Sequence, residues 1–327
     1  MKRYISLIIL AAFVMILFPV ALLHNETKTL DTNQNNITTT QAPVTQDDNT
    51  ITVFRSAQQK ADEMDMFEYV CGSVAAEMPL SYHEEALKAQ AVACYTNALR
   101  LKQSGGYSEN AHISDDTSLH QGYLSEAQRR DKWGDDFQKY ESKLQNAVKA
   151  VENEYISYNG EPCVAAFFAL CSGTTEDAEN IWGEKVSYLV SVKSSGDALS
   201  PQYTQTIALD KTEFLNCIKS ASVETKNIKS LKNIIKITEK SKVGTVLKAE
   251  INSLELSGEE IQKAFSLRSR VFSVETTKDT VTFTVTGYGH GVGMSQYGAD
   301  FMARQGSTYE EILLHYYQGT EIKENNP

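Results

Sequence analysis

The chain has 327 residues, with 42 acidic against 31 basic side chains and a formal net charge of −11. That balance argues against nucleic acid as a partner, because binding phosphate needs clustered Lys and Arg. Five cysteines with no Cys-x-x-Cys pair argue against a disulfide framework. The N-terminus reads Met-Lys-Arg and then runs apolar from Ile5 to Leu23, broken only by Ser6. Such a run is long enough to cross a bilayer as a helix. It offers no good small-x-small cleavage site, so residues 1–24 read as an uncleaved membrane anchor, with a cleaved signal peptide as the alternative. Lys2 and Arg3 ahead of it would keep the N-terminus cytoplasmic and put the remainder outside. Residues 25–56, rich in Asn, Thr, Gln and Asp, predict a disordered stalk.

Helices are expected over 57–76 and 84–104. In the second, Leu87, Ala91, Cys94, Ala98 and Leu101 recur at spacings of four and three, which predicts one apolar stripe. Ser81 is a natural N-cap for it, and Glu84 and Glu85 suit the positive end of its dipole. Met78-Pro79 separates the two helices and leaves Glu77 at the end of the first. A charge-rich helix is expected over 125–152. Ile156–Tyr158, the Asn159-Gly160 turn and Cys163–Phe168 then predict a hairpin. Between 201 and 286, short strands at Ile234–Thr238, Thr245–Ile251 and Val271–Glu275 alternate with short helices such as Lys211–Lys219. A strand at Thr280–Thr286 leads into a glycine-rich loop, a helix over Met294–Gln305 and a last helix over Thr308–Tyr317. Together these predict an α+β fold with a helix-rich catalytic core, residues 57–200 plus 287–322. An inserted β-rich lobe takes 201–286, and one transmembrane helix precedes the whole.

Four stretches could carry chemistry. Glu77 opposes the macrodipole at a helix C-terminus, which raises its pKa, and an acid still protonated near neutral pH suits glycosidic-bond cleavage. The plainer alternative is a surface cap. His112, Asp115, Asp116, His120 and Gln121 cluster within ten residues and offer zinc donors, although the gap between the histidines is not a standard zinc spacing. The alternative there is a polar loop with aspartates capping turns. Ser172 and Trp182 suit hydrogen bonding and stacking on a sugar, or else mark an ordinary turn with Trp182 in the core. Reading Cys171-Ser172 as a nucleophile lacks a partnered histidine and acid. Finally, Gly287, Gly289, Gly291 and Gly293 alternate around His290. The spacing is neither a dinucleotide fingerprint nor a Walker loop. It predicts a tight loop that holds His290 and Gln296 towards a site.

Taken in order, these pieces resemble a known family. They are Glu77-Met-Pro, Glu85-Ala-Leu-Lys-Ala-Gln-Ala-Val-Ala93, Ile181-Trp-Gly183, Gly289–Ala299, Tyr309-Glu-Glu-Ile-Leu and Tyr316-Tyr-Gln-Gly-Thr320. Most of residues 60–320 is similar to the stage II sporulation protein D family, membrane-anchored lytic transglycosylases of endospore-forming bacteria. The resemblance implies that Glu77, in the Glu-Met-Pro motif, is the catalytic acid. It would cut the bond between N-acetylmuramic acid and N-acetylglucosamine in glycan stripped of stem peptides, leaving 1,6-anhydro ends and requiring no cofactor. Gln90, Ser172, Trp182, His290, Ser295, Gln296 and Tyr297 are candidate substrate-binding residues by polarity and placement. Some members bind zinc near the segment that here reads Leu119-His120-Gln121, where many carry His-Cys-Gln, so His112 and His120 are candidate zinc ligands. Tyr95 stands where relatives commonly carry arginine, and Ala169-Leu170 where a histidine is often found. The resemblance also implies the mother-cell membrane facing the engulfed forespore, and a complex with an amidase–endopeptidase and a polytopic membrane protein. Other relatives are amidase enhancers, which gives the alternative of a wall-binding protein without chemistry of its own.

Overall fold

The computed structural model describes residues 49–108, 110–221 and 223–325. Hydrophobic side chains gather in two clusters, one drawn from Ile51 to Tyr317 and one confined to Phe214–Val285. The helix Glu84–Gln103 lies in the first, with Ala86, Ala89, Ala91, Ala93 and Ala98 all buried. A single stripe is too narrow a description of it. Gln90, Thr96 and Asn97 are buried as well as Leu87 and Cys94, and a helix enclosed on most sides belongs in the middle of a domain. Its N-cap is His83 rather than Ser81: the His83 Nδ1 accepts the Glu85 N–H at 3.3 Å.

The helix expected over 57–76 instead begins at Met66 and ends at Glu77. Ahead of it, Thr50–Arg55 and Lys60–Asp65 form an antiparallel hairpin with Arg55 opposite Lys60. Ile51 and Val53 alternate inward and are fully buried, the period-two pattern of a strand. Residues 50–55, read above as the end of the stalk, are therefore part of the folded body. Asp65 caps the helix by accepting the Glu68 N–H at 3.1 Å. At the far end Pro79 has no N–H to extend the ladder, and Met78 before it is extended, with φ −123° and ψ 138°.

The expectation of an α+β fold preceded by one transmembrane helix is corrected. The chain is a mixed α/β structure, and among the described residues no helix is long and apolar enough to cross a membrane. The apolar run over residues 5–23 that carried the expectation lies outside the described residues.

Residues 125–152 form two helices, Glu126–Trp133 and Phe137–Lys149, because Gly134 between them takes a φ of 51°. The Glu154–Tyr158 strand turns at Asn159-Gly160 onto Glu161–Pro162, and Glu321–Glu324 pairs along its other edge. The second cluster fills a lobe of two antiparallel three-stranded sheets. One holds Phe272–Thr276, Thr280–Thr286 and Thr204–Asp210, the other Leu254–Ser257, Val246–Ile251 and Ile235–Lys240. Helices Lys211–Ser220 and Gly258–Ala264 complete it around Phe214, Phe265, Phe272 and Phe283.

One buried cation joins three segments of the first cluster. Arg129 is 0% exposed. Its Nε and Nη2 donate to the Glu141 carboxylate at 2.9 and 2.8 Å, and its Nη1 donates to Glu68 at 2.9 Å and to the Leu124 carbonyl at 3.0 Å. Arg129→Ala leaves two carboxylates uncompensated, and we expect a loss of about 3–5 kcal/mol of unfolding free energy in urea denaturation. Lys263→Ala, which breaks the more exposed pair with Glu259, should change it by less than about 1 kcal/mol.

Candidate active site

Glu77 is the last residue of its helix and is half-buried. Its Oε1 accepts the backbone N–H of Gly122 at 2.5 Å. Burial raises the Glu77 pKa above the ordinary glutamate range, while the Gly122 N–H and the charge of Lys132 act in the opposite direction. Lys132, on the helix Glu126–Trp133, donates from Nζ to the Ala75 carbonyl at 2.8 Å, in the last turn of the Glu77 helix. Burial thus favours the neutral acid, while the Gly122 N–H and Lys132 favour the carboxylate.

Gly122 is there because of what a side chain would meet. A Cβ at that position would lie 3.0 Å from the Ala76 Cβ and 3.2 Å from the Glu77 Oε1. Beside it, Gln121 is buried and donates to the Tyr69 hydroxyl at 3.1 Å and the Cys94 carbonyl at 3.0 Å. Burial pushes the Tyr69 hydroxyl and the Cys94 thiol well up, and the Glu77 charge adds to both. Gly122, Gln121, Lys132, Tyr69 and Cys94 are therefore the surroundings of the carboxyl. Of these, Gln121 and Gly122 fell in the stretch around His112 and His120 that the sequence marked as chemical.

The glycine loop has a different task. Gly287, Gly289, Gly291 and Gly293 all take positive φ, between 77° and 111°. A Cβ on Gly293 would stand 2.1 Å from the Ala166 carbonyl, and one on Gly289 would stand 2.7 Å from the Phe168 Cβ. The glycines let the loop lie directly on residues 166–170, where Tyr288 and Leu170 exchange backbone hydrogen bonds of 2.7 and 3.0 Å.

Several residues expected to face substrate are engaged within the fold. The His290 Nδ1 accepts the Val292 N–H at 3.1 Å, so its Nε2 carries the proton and donates to the Phe167 carbonyl at 3.0 Å. Burial lowers its pKa to about 4. Its ring lies between Phe168 and Trp182, with centroids at 5.4 and 5.7 Å. Ser295 is buried, donates to the Asp197 carboxylate at 2.5 Å and caps the next helix through the Gly298 N–H. Gln296 donates from Nε2 to the Gln90 side-chain Oε1 at 3.2 Å, and the Gln90 Nε2 donates to the Cys94 sulfur at 3.4 Å. Both glutamines are buried. They connect the loop to the neighbourhood of Glu77. Trp182, Tyr297 and Ser172 keep partial exposure. Tyr297 meets the Tyr82 ring edge-on at 6.3 Å. Ser172 lines a small cleft between core and lobe, together with Thr174, Glu176 and Arg270.

The histidine pair does not fit zinc. The His112 Nδ1 accepts the Thr52 N–H at 3.0 Å and the His120 Nδ1 accepts the Ser114 N–H at 3.2 Å. Among the described residues no group of three or more His, Cys, Asp or Glu side chains could hold a metal ion, and a zinc site draws at least three ligands from the protein. Asp115 instead accepts from the Arg55 Nε and the Ser56 N–H, and Asp116 from the Ser118 N–H. The stretch is a polar loop organised by its aspartates.

Comparison with known proteins agrees with the motif order. The family described as stage II sporulation protein matches residues 55–158, the span that holds Glu77, Gly122 and Lys132. A domain of unknown function matches residues 127–293. The chain is 38% identical over 276 residues to Stage II sporulation protein D of Bacillus subtilis (strain 168), covering 84% of this chain and 79% of that protein. The chain belongs to the stage II sporulation protein D family. The Stage II sporulation protein D of Bacillus amyloliquefaciens is 37% identical over 278 residues, 84% of this chain and 78% of that one. An Amidase enhancer of Bacillus subtilis (strain 168) is 28% identical over 299 residues, which is 77% of this chain but 40% of the enhancer. Membership of the stage II sporulation protein D family gives the chain a sporulation role related to the cell wall.

The buried His120 and the half-buried His290 make a pH-dependent contribution to stability. Burial holds His120 and His290 to pKa values of about 4, against 6.5 for a free imidazole. The unfolded chain binds more protons below 6.5, so their contribution is complete above that pH and is lost as the pH falls towards 4. Urea denaturation at stepped pH should show this decline, and the imidazole resonances of both residues should stay in the neutral form down to pH 5.

Proposed function

We propose that the protein is a peptidoglycan lytic transglycosylase in which Glu77 acts first as acid and then as base. The observation that carries this reading is the setting of Glu77: a half-buried carboxyl with a raised pKa, its Oε1 held by the Gly122 N–H. Its substrate is the bond between N-acetylmuramic acid and N-acetylglucosamine in denuded glycan. The protonated carboxyl gives its proton to the glycosidic oxygen as the bond from C1 to that oxygen breaks. The resulting carboxylate takes the proton of the muramic acid C6 hydroxyl as that oxygen bonds to C1, closing the 1,6-anhydro ring. The proton returns to Glu77 and no water is consumed, so the second carboxylate that hydrolysing glycosidases use has no step to perform. An acid that must also serve as base needs a pKa near the working pH. Burial on one side, and the Gly122 N–H and Lys132 on the other, pull the group towards that middle.

Peptidoglycan lies outside the cytoplasmic membrane, so this reading needs the folded domain on that side. During engulfment that is the space between mother cell and forespore, where an amidase–endopeptidase and a polytopic membrane protein would be its partners. The similarity to an Amidase enhancer favours a second reading, in which the domain binds wall glycan and stimulates a separate amidase.

Full-length protein incubated with denuded glycan strands separates the two when products are read by mass spectrometry. We expect anhydro-muramic ends, reduced about 10²–10⁴-fold in Glu77→Gln, a substitution that retains an acceptor for the Gly122 N–H. The rate should fall as the pH rises through the raised Glu77 pKa, because the proton donor is then lost. Glycan binding and amidase stimulation without cleavage would favour the enhancer reading, and reducing ends would mean hydrolysis.

A further inference from the structure

Lys132 stands outside every motif that the sequence marks as chemical, yet two independent observations join it to Glu77. Its Nζ donates to the carbonyl of Ala75, two residues before Glu77, at 2.8 Å. Its charge also acts on the Glu77 carboxyl, and the carboxyl acts on it in return. Lys132 is an exposed residue whose ammonium is held by that carbonyl. The other groups around the carboxyl are the Gly122 N–H from the loop, Tyr69 on the same helix and Cys94 on the helix Glu84–Gln103. Tyr69 and Cys94 stay neutral at working pH because burial pushes both well up. Lys132 is the cation of the group.

We propose that Lys132 is a positioning residue for the reaction, fixing the last helical turn through the Ala75 carbonyl and stabilising the Glu77 carboxylate between its two proton transfers. The inference rests on the reading of Glu77 as proton donor and then acceptor. A lone buried carboxylate would hold the glycosidic proton poorly in the first step only if it ionised too easily, and burial prevents that. In the interval after the first transfer the same burial penalises the anion, and there the nearby ammonium offsets the penalty. Such an effect is electrostatic and belongs to the charge, so Arg should retain it and Gln should not.

The test uses full-length protein labelled with 15N-glycine, in which the Gly122 amide shift reports ionisation of the carboxyl it donates to. Lys132→Gln keeps a donor for the Ala75 carbonyl and removes the charge, Lys132→Met removes both, and Lys132→Arg keeps both. We expect the Gly122 titration midpoint to move to higher pH in the Gln and Met variants and to stay near wild type in Arg. The alkaline limb of glycan cleavage should move the same way. An unchanged midpoint in both Gln and Met overturns the proposal. If wild-type protein cleaves no glycan, or Glu77→Gln retains full activity, the transglycosylase reading fails, while the Gly122 midpoint still decides whether Lys132 governs the carboxyl.

Discussion

Arg129 imposes the constraint on which the Glu77 site depends. A guanidinium has five N–H donors in a fixed plane, and burying it without partners for them is prohibitive. Glu141 takes two donors side by side, Glu68 takes two more at 2.9 and 3.3 Å, and the Leu124 carbonyl accepts from Nη1. A lysine could not reproduce that planar fork. Meeting these partners at once brings the Met66–Glu77 helix, the Phe137–Lys149 helix and the end of the loop at Leu124 to one point. The Leu124 N–H closes the arrangement by donating to the Gly72 carbonyl at 3.0 Å. Gly72 itself has room for this because a Cβ there would stand 2.3 Å from the Tyr123 ring. With Leu124 fixed and Tyr123 stacked on Tyr69, Gly122 has little choice of position, and its N–H faces the Glu77 carboxyl.

The glycine loop does for the other half of the molecule what Arg129 does for this one, by the opposite means. Where Arg129 satisfies many groups with one charged side chain, the loop removes side chains so that two backbones can meet. The conformations that only glycine adopts without strain then fix His290, and the histidine closes its own turn through Val292 while tying it to Phe167. The run of hydrogen bonds from Gln296 to Gln90 to Cys94 carries that rigidity to the face of the helix Glu84–Gln103 near Glu77. A polar residue in a glycine-rich loop can thus be conspicuous in sequence because the backbone needs it.

What the sequence made legible follows from how local the cause is. Pro79 stops a helix by its own chemistry, so the position of Glu77 at a helix end could be read directly. The Asn159-Gly160 turn and the lobe strands are equally local, since turn residues and β-branched runs carry their own instructions. Residues 57–65 misled because Gln, Lys, Asp and Glu suit a helix, and the strand there exists through its pairing with Thr50–Arg55. The all-round burial of Glu84–Gln103 was hidden for a similar reason, since Gln90, Thr96 and Asn97 look like a solvent face until their partners are known. Asn97, for example, exchanges two 3.0 Å hydrogen bonds with the backbone of Ala165, 68 residues away. The site suffered most. Lys132 looked like one charge among many, and Gly122 like part of a polar loop, because their meaning lies in what Arg129 brings next to them.

A single carboxyl asked to give and then retrieve a proton faces requirements that no one environment meets. Apolar burial alone would keep Glu77 protonated and make its anion too unstable to form, while full solvation would leave it ionised and unable to donate. The structure answers with unequal neighbours. Burial raises the carboxyl's pKa, and the loop supplies one N–H at 2.5 Å with no side chain in the way. Because that N–H belongs to the backbone, the proposed proton transfers would not require it to reorganise as the charge on the carboxyl changed. Under the proposed mechanism, the rigidity that Arg129 and Gly72 give to the loop would serve the chemistry. A donor free to turn away would favour the neutral acid in one moment and water in the next, and the carboxyl could not return to its starting state within one turnover.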